Sequence, residues 1–259
     1  MSEGLEYAGL KARSWDVLRG DTSDWADRAF YLDLIEERGQ PVLDVGCGTG
    51  RLLLDFLAIG IDIDGVELSP DMVAILRAKA EAAGLEADDR VTVAAMESMA
   101  LPRRYRLILV PSSSFQLLTD PIAATAAIRR LHDHLEPNGT LAMPWIDISR
   151  DYPDGADDRR TTETTEPDGS VLRLMYHGWF DAANGLEHTD ERFVRVVDGT
   201  VVEDERIVRS PATRHYDREP IRDLHEAAGF DEVEWLSGFT RRAATPDDRI
   251  VTTLARRRS

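Results

Sequence analysis

Residues 41–54 read PVLDVGCGTGRLLL, and this stretch decides the fold of the chain. The apolar run from Val42 to Val45 predicts a short buried strand, and a glycine-rich turn follows it at once. Arg51 to Ile59 then predicts a buried helix. Strand, glycine turn and helix in this order open an α/β fold of the nucleotide-binding type. The turn is not the dinucleotide fingerprint, because that fingerprint requires its third glycine where Arg51 stands.

Two carboxylates are predicted at the ends of neighbouring strands. Asp44 lies at the carboxyl end of the first strand, where it would repel a pyrophosphate but suits a ligand that carries an ammonium and a sulfonium. Glu67 lies at the tip of the second strand, predicted over Ile61 to Leu68, and can accept hydrogen bonds from two ribose hydroxyls. The pair therefore predicts a site for a positively charged nucleoside.

The glycine turn resembles the first motif of the class I S-adenosylmethionine (SAM) methyltransferases, hydrophobic-Asp-x-Gly-x-Gly-x-Gly. The sequence Ser69-Pro70-Asp71-Met72 after Glu67 is also similar to theirs. Relatives hold an acidic and then an apolar residue against adenine; Ala95 and Met96 stand there, so Glu97 is expected to take the acidic role. The resemblance implies SAM as the cofactor. The residues expected to bind it are Asp44, Gly46, Cys47, Gly48, Gly50, Glu67, Leu68, Met72, Met96, Glu97 and Pro111.

Strands alternate with helices as far as Ile146, which predicts a mostly parallel sheet with helices on both faces. A helix over residues 24–38 precedes the first strand. Asp24 is its expected N-cap, and its expected apolar positions are Trp25, Ala29, Leu32 and Ile35. Pro137-Asn138-Gly139 is expected to stop the helix before the fifth strand, Thr140 to Ile146.

The pattern changes after Asp147. Residues 151–169 are acidic and threonine-rich, and three extended runs follow, punctuated by the hairpin signals Pro167-Asp168-Gly169, Asn184-Gly185 and Asp198-Gly199. These runs are Val171–Phe180, Leu186–Val197 and Thr200–Arg209. A helix at about 218–228 and two strands then close the sheet as an antiparallel edge pair, Val233–Leu236 and Ile250–Leu254.

The predicted fold is α/β: a Rossmann-like seven-stranded methyltransferase sheet with helices on both faces and an inserted antiparallel β-meander. Four segments are expected in chain order. They are an N-terminal helical segment or lid (1–40), the SAM-binding core (41–150), an inserted β-layer serving as acceptor lid or dimer contact (151–216), and the closing helix and strands (217–259).

The nearest resemblance is to the amino-sugar N,N-dimethyltransferases. They have a similar inserted β-layer, a Ser-Ser element after the fourth strand, a Pro-Trp like Pro144-Trp145, and an N-terminal tyrosine spaced like Tyr7 from Trp15. The position of Leu117 holds a polar ring in those enzymes, so the acceptor need not be the same. Tyr7 is the predicted catalytic residue. The residues expected to bind the acceptor are Tyr7, Ser113, Trp145, His177 and Tyr216.

The composition of the chain limits the kinds of molecule that it is expected to bind. The chain has 259 residues, a formal net charge of −17 and a pI near 4.7, which argue against nucleic acid or an anionic membrane as the main partner. No apolar run approaches a membrane span. The single cysteine, Cys47, excludes an internal disulfide and favours a reducing cytoplasm. We expect no metal site and a small-molecule acceptor, and the inserted β-layer is compatible with a homodimer.

The predicted function is SAM-dependent methylation of a small molecule, with N-methylation favoured over O-methylation. Two alternatives remain open. A SAM-binding protein without catalysis would share both motifs, and a nicotinamide-dependent oxidoreductase would share a glycine turn and an acidic second strand. Arg51 at the third glycine position and the carboxylate of Asp44 count against the oxidoreductase.

Overall fold

The computed structural model describes residues 7–258, which form two compact units. The larger unit, the sheet unit, comprises Thr22–Asp147 and the chain from Tyr216 onward. The smaller unit, the β-layer unit, comprises the described residues up to Asp21 and Ile148–His215. Residues 1–40 of the predicted segmentation are thus shared between the two units, with the division after Asp21.

The sheet unit alternates strands and helices before it closes. Its strands are β1 (Val42–Val45), β2 (Ile63–Glu67), β3 (Val91–Val93), β4 (Tyr105–Leu109), β5 (Leu135–Ile146), β10 (Phe230–Ser237) and β11 (Ile250–Arg257). Its helices are α3 (Ala26–Arg38), α4 (Arg51–Ala58), α5 (Pro70–Ala82), α6 (Pro121–Asp133) and α7 (Arg218–Ala228).

The strand order in this seven-stranded sheet is β10-β11-β5-β4-β1-β2-β3. β1 is an interior strand and pairs in parallel with β2 and β4, whereas β11 runs antiparallel to both β5 and β10. Successive residues of β1 face different cores, since Val42 belongs to one apolar cluster and Leu43 to the other. The predicted Rossmann-like sheet, with helices on both faces and an antiparallel edge pair, is confirmed.

The buried face of α3 differs from the prediction. The structure buries Asp27, Phe30, Tyr31, Leu34 and Ile35, leaves Ala29 exposed, and begins the helix after Trp25 instead of Asp24. Of the four predicted apolar positions only Ile35 is buried, and the buried face instead includes Asp27, which is bonded to Arg51 of α4.

The start of β5 also differs from the prediction. The strand begins at Leu135, and Pro137-Asn138-Gly139 lies inside it, where the pairing with β4 shifts register between Tyr105 and Leu107. Asn138 adopts a φ of 63° at this break in register. The irregular backbone explains how three residues that usually signal a turn can lie within a strand.

The β-layer unit is a four-stranded antiparallel sheet with two short helices. The strands, in sheet order, are β6 (Asp158–Thr165), β7 (Val171–Asp181), β8 (Leu186–Val197) and β9 (Thr200–Arg214); the helices are α1 (Gly9–Arg13) and α2 (Trp15–Arg19). The inserted antiparallel meander was predicted, but β6 was not. Most residues of β6 are exposed, so the strand has no alternating apolar pattern.

A small apolar cluster and a buried ion pair join α1 to the strands of its unit. Leu10 packs with Leu172 and Phe193. The Lys11 ammonium lies 2.5 Å from a carboxylate oxygen of Glu191, and the two side chains are only 5% and 12% exposed. α1 therefore carries one of the two lysines of the chain into a nearly dry environment.

His225 on α7 is a buried imidazole with one unused nitrogen. Its Nδ1 donates to the carbonyl oxygen of Ile221 at 2.7 Å, and Nε2 has no hydrogen-bond partner within residues 7–258. The rings of Trp145 and Phe230 lie beside it. Burial lowers the pKa of His225 from 6.5 to about 4, so the ring is neutral near pH 7.

We expect His225 to make folding stability depend on pH. Because the folded pKa of about 4 lies below the unfolded value of 6.5, its contribution is full above pH 6.5 and is lost as the pH falls towards 4. The loss amounts to about 3 kcal/mol. Urea unfolding at pH 7.5 and 4.5 should show a smaller pH effect in His225→Phe than in the parent. An equal pH effect in both proteins would contradict the assignment.

Candidate functional site

The glycine turn after β1 is tied to β2 by backbone hydrogen bonds. The N–H groups of Gly46 and Cys47 both donate to the carbonyl oxygen of Val66, at 2.7 and 3.1 Å. The N–H of Gly48 donates to Oε2 of Glu67 at 2.9 Å, and Oε1 of Glu67 accepts from the N–H of Ser69 at 2.8 Å. Glu67 therefore holds the turn against the start of α5, and each of its oxygens has remaining acceptor capacity.

Glycine is required at positions 46 and 48 of the turn for different structural reasons. A Cβ on Gly46 would lie 2.8 Å from the hydroxyl oxygen of Ser114, so the loop after β4 approaches the turn closely. Gly48 has a φ of +56°, and apart from its chain neighbours no heavy atom of residues 7–258 lies within 4 Å of the position that its Cβ would occupy. Gly48 thus combines a left-handed backbone with open space, as a turn that receives a ligand against its main chain requires.

Asp44 is the most unusual group of the site. Its side chain is 1% exposed, and Oδ1 has no hydrogen-bond partner within the part of the chain that the structure describes. Burial raises the pKa of Asp44 to about 7, opposed by Arg51 and assisted by Glu67 and Asp27. Burial likewise raises the pKa of Glu67, against the backbone N–H groups of Ser69 and Gly48. Two close, buried carboxylates favour a cationic ligand.

An ammonium-bearing nucleoside fits these residues. The unpartnered oxygen of Asp44 is an acceptor for an ammonium, and the positive charge would relieve its repulsion with Glu67. The open side of Gly48 would admit the amino-acid part, while Glu67 would accept hydrogen bonds from ribose. These residues would hold SAM at the carboxyl ends of β1 and β2.

Three residues near Asp44 escaped the sequence analysis. Arg51 donates from both terminal nitrogens to the two carboxylate oxygens of Asp27, and its guanidinium lies 4.9 Å from the centre of the Trp25 ring. Tyr31 is fully buried, and its hydroxyl has no partner among residues 7–258. The spacing of Asp27 and Tyr31 by four positions on one helix was the available signal.

The other predicted cofactor residues lie around the same strand ends. Leu68 is 50% exposed directly after β2, Met72 is buried on α5, and Pro111 is buried directly beyond the end of β4. Met96 and Glu97 are half-buried in the loop after β3. Gly50 caps α4, and burial raises the pKa of the Cys47 thiol well above its usual value, which suits a space-filling role.

The predicted acceptor residues are divided between the two units. Trp145 is 3% exposed; its indole N–H donates to the Thr253 hydroxyl at 3.0 Å, and its ring packs against Tyr216. Ser113 is half-buried after β4 and has a strained φ of 54°.

Tyr7 and His177 belong to the β-layer unit. The Tyr7 ring packs edge-on against Trp15, with centroids 4.9 Å apart, and the Lys11 ammonium lies 4.8 Å from its centre. His177 Nε2 lies 2.9 Å from a carboxylate oxygen of Asp157.

Residues 42–139 match a family model described as a methyltransferase domain. This chain carries a methyltransferase domain. The match confirms the predicted methyltransferase class for this segment. The matched span includes the glycine turn, Asp44 and Glu67.

The methyltransferase is similar to two enzymes named for amino-sugar methylation. One, from Streptomyces fradiae, is the dTDP-3-amino-3,6-dideoxy-alpha-D-glucopyranose N,N-dimethyltransferase, 31% identical over 54% of this chain and 55% of its own length. The other, from Streptomyces venezuelae, is the dTDP-3-amino-3,4,6-trideoxy-alpha-D-glucopyranose N,N-dimethyltransferase, 27% identical over 85% of this chain and 84% of its own length. The chain thus spans little more than half of the first relative.

Two further matches are an O-methyltransferase and a solved methyltransferase structure. A ubiquinone biosynthesis O-methyltransferase from Xanthomonas axonopodis pv. citri is 28% identical over 56% of this chain and 61% of its own length. The crystal structure of a SAM-dependent methyltransferase from Clostridium acetobutylicum superposes with a TM-score of 0.77 at 16% identity, covering 95% of this chain and 97% of that one. The structural match supports the fold. No helix within residues 7–258 has the length and apolar character that crossing a membrane requires.

Glu67→Ala is expected to weaken SAM binding by the methyltransferase about 10- to 100-fold, or about 1.5–3 kcal/mol, the scale of hydrogen bonds to a charged group. A 2′,3′-dideoxy analogue of SAM should lose much less affinity, because it has no hydroxyls for Glu67 to accept from. Part of the loss will be common to both ligands, since Glu67 also holds Gly48. Calorimetric titration of both ligands measures the difference, and equal losses would exclude the ribose contact.

Proposed function

We propose that this methyltransferase transfers the methyl group of SAM to the amino nitrogen of a small acceptor, with amino sugars as the substrate class. The observation that carries the transfer is the unpartnered, buried oxygen of Asp44 beside the open Gly48 turn. The amine acceptor is supported by the two relatives named for N,N-dimethylation of amino sugars. The net charge of −17 also favours a neutral or cationic acceptor over an anionic one.

Bound SAM supplies a methyl group on a sulfonium. In the proposed transfer the amine nitrogen would form the new bond to the methyl carbon as the carbon–sulfur bond breaks, S-adenosylhomocysteine would leave, and the amine would release a proton to solvent or a base. The work of the protein in such an in-line displacement is alignment and the exclusion of water. Asp44 and Glu67 would bind the ammonium and the ribose, which fixes the cofactor relative to the acceptor.

The acceptor site is proposed from the residues that the sequence singled out. Tyr7 is proposed to align the amine, with Ser113, His177 and Tyr216 contributing to acceptor binding. Trp145 is proposed to act by packing against Tyr216, because its own indole N–H is already bonded to Thr253. Residues 151–216 are proposed to serve as an acceptor lid.

A panel of acceptors tests the proposal. The purified chain is incubated with SAM and with matched amino and hydroxy sugars, simple amines and phenols, and S-adenosylhomocysteine and methylated products are quantified. We expect amino sugars to be methylated on nitrogen, and the hydroxy sugars not at all. Preferred turnover of phenols would favour O-methylation, as in the ubiquinone-pathway relative. SAM binding without turnover of any acceptor would favour a non-catalytic SAM-binding protein.

Tyr7→Phe provides the matched test of the acceptor site. It keeps the ring that packs against Trp15 and removes only the hydroxyl. We expect kcat for the confirmed amine to fall while the affinity for SAM stays within about twofold, because the ring packing, worth about 1 kcal/mol, is retained. Unchanged kcat would remove Tyr7 from the proposed site.

A further inference from the structure

A half-buried carboxylate of the β-layer unit is held by two tyrosines. The Tyr152 hydroxyl donates to Oε1 of Glu187 on β8 at 2.6 Å. The Tyr176 hydroxyl, on β7, lies 3.1 Å from the Tyr152 oxygen and 3.4 Å from the same Oε1. Burial and the hydrogen bond to Glu187 raise the pKa of Tyr152, and burial raises the pKa of Tyr176 to about 12. Both phenols therefore stay protonated near pH 7 and act as donors.

Gly178 of β7 makes the room in which the two hydroxyls meet. A Cβ on this residue would lie 2.4 Å from the hydroxyl oxygens of both Tyr152 and Tyr176. Its φ lies outside the left-handed region, so other residues could adopt its backbone, and the need for space alone explains the glycine. A glycine inside a strand often marks a close approach of this kind. Gly178 thus leaves the strand bare where the tyrosine hydroxyls reach Glu187.

Glu187 lacks the cation that other carboxylates of β8 have. Asp190 pairs with Arg206, and Glu191 pairs with Lys11. Within residues 7–258, Glu187 accepts hydrogen bonds only from the two tyrosines, both on Oε1, and no cation pairs with it. Its Oε2 keeps its full capacity to accept and is not enclosed, since the side chain is half-buried. A partly buried carboxylate without a counter-charge favours a cationic ligand.

Aromatic rings lie beside the Glu187 carboxylate. Phe180 of β7 stands directly opposite Glu187 in the register of the two strands. The Tyr152 ring stacks on Phe180, with centroids 5.9 Å apart and planes inclined by 11°. Rings next to a carboxylate offer an ammonium group an ionic contact and an electron-rich surface at once. This combination favours an amine over a metal ion, which would require several charged ligands.

The face of the sheet that carries Glu187 is also the face that α1 covers. Side chains alternate along a strand, and β8 pairs with β7 without a register shift, so Glu187 and Glu191 point to the same side. Glu191 bonds to Lys11 of α1, whose ammonium lies 4.8 Å from the centre of the Tyr7 ring. Tyr7, proposed above to align the amine, therefore shares this face of the β-layer unit with Glu187.

We propose that Glu187 binds the protonated amine of the methyl acceptor through Oε2, and that Tyr152 and Tyr176 are positioning residues that hold its carboxylate. The inference rests on the proposed N-methylation of an amine and names the residue that recognises that amine. It also gives a reason for choosing an amino sugar over a hydroxy sugar, because only the amine carries a positive charge. The contact is ionic, and no covalent bond to Glu187 forms or breaks.

A binding experiment tests the site without any methyl transfer. The probes are benzylamine, which is protonated near pH 7, and benzyl alcohol, which has the same ring and no charge. The chain contains six tyrosines, so NMR of the protein with ¹³C-labelled tyrosine rings gives few signals, and Tyr152→Phe and Tyr176→Phe assign the two that matter. We expect benzylamine to shift the Tyr152 and Tyr176 signals and benzyl alcohol to leave them in place.

Glu187→Gln removes the charge and keeps an oxygen for the Tyr152 hydroxyl. We expect it to weaken benzylamine binding about 10- to 100-fold, the scale of a hydrogen bond to a charged group. Asp190→Asn is the matched control, because it removes one negative charge from the same strand at a carboxylate that already pairs with Arg206. Its benzylamine affinity should stay within about twofold of the parent, since long-range attraction by an exposed charge is screened.

Turnover of the amine that the acceptor panel identifies tests the role in the reaction. Glu187→Gln should raise KM for this amine about 10- to 100-fold, with kcat changed much less and SAM affinity unchanged. Tyr152→Phe should raise KM by about three- to tenfold, because the carboxylate remains but loses its shortest hydrogen bond. If the panel identifies no amine, the proposed function fails, and the benzylamine titration still decides whether Glu187 binds amines.

Several results would overturn the proposal. Benzylamine that does not bind, or that binds no better than benzyl alcohol, would exclude an amine site at Glu187. Equal benzylamine affinity in Glu187→Gln and Asp190→Asn would reduce the effect to net charge. Parallel losses of SAM affinity and of the free energy of unfolding in Glu187→Gln would make the carboxylate a structural residue. Methylation of an amine by Glu187→Gln at the parental KM would leave the proposed function standing and remove Glu187 from the acceptor site.

Discussion

Gly48→Val is expected to abolish SAM binding while the chain stays folded. The backbone at Gly48 has a φ of +56°, and its Cβ would project into space where no heavy atom of residues 7–258, other than its chain neighbours, lies within 4 Å. A valine side chain there would fill the region proposed for the methionine part of SAM. The strained backbone itself would cost only about 1–2 kcal/mol, which a domain of this size tolerates. Calorimetric titration with SAM measures the effect.

Gly84→Val is the matched control for Gly48→Val. Gly84 also has a positive φ, +67°, with nothing within 4 Å of its Cβ position, but it follows α5, away from the turn. Its variant should lose similar stability and retain SAM affinity. Gly48→Ala should give an intermediate loss, because it adds one carbon at the same strained position. If Gly48→Val bound SAM within a few-fold of the parent, the turn would not be the cofactor loop.

Lys11→Met is expected to destabilise the β-layer unit by about 3–5 kcal/mol, because it leaves the Glu191 carboxylate buried without its partner. Glu191 is 9% exposed, and the Lys11 ammonium lies 2.5 Å from its Oε2. The double variant Lys11→Met/Glu191→Leu should recover most of the loss, since two apolar side chains replace two charges. Urea unfolding and hydrogen exchange of the β8 amides provide the measurement.

Arg13→Met, two positions further along α1, is the control for Lys11→Met. Arg13 pairs with Glu203, and their side chains are 55% and 35% exposed. Removing this pair should lower the free energy of unfolding by at most about 1 kcal/mol. Similar losses for Lys11→Met and Arg13→Met would show that burial of the Lys11 pair adds nothing. A double variant as unstable as Lys11→Met would point to lost packing of α1 instead of an unpaired charge.

The sheet, the cofactor turn and the edge strands were predictable because their signals are local. Residues 42–54 contain strand, turn and helix in one run, and Asn184-Gly185 and Asp198-Gly199 mark the hairpins of the β-layer by turn chemistry alone. The family match, over residues 42–139, includes this stretch. Asp44 and Glu67 were identified because each stands at the end of an apolar run.

The features that were not predicted depend on contacts between residues that are distant in sequence. Asp27 is buried where Arg51, 24 positions later, bonds to it, and no pattern within its own helix predicts that partner. Trp145 is fixed by Thr253, on a strand that the chain reaches 108 residues later. β6 forms without an apolar face because β7 supplies its hydrogen-bond partners. These pairings cannot be inferred from the composition or the periodicity of a single segment.

The burial of Lys11 has a practical consequence for handling the protein. The chain contains two lysines, and the ammonium of Lys11 is enclosed with Glu191, whereas Lys79 on α5 is half-buried. Amine-directed dyes, crosslinkers and activated resins therefore find a single reachable lysine side chain on the folded molecule, on a helix of the sheet unit. Lysine conjugation becomes nearly site-specific without engineering, and labelling of Lys11 would report opening of the β-layer unit.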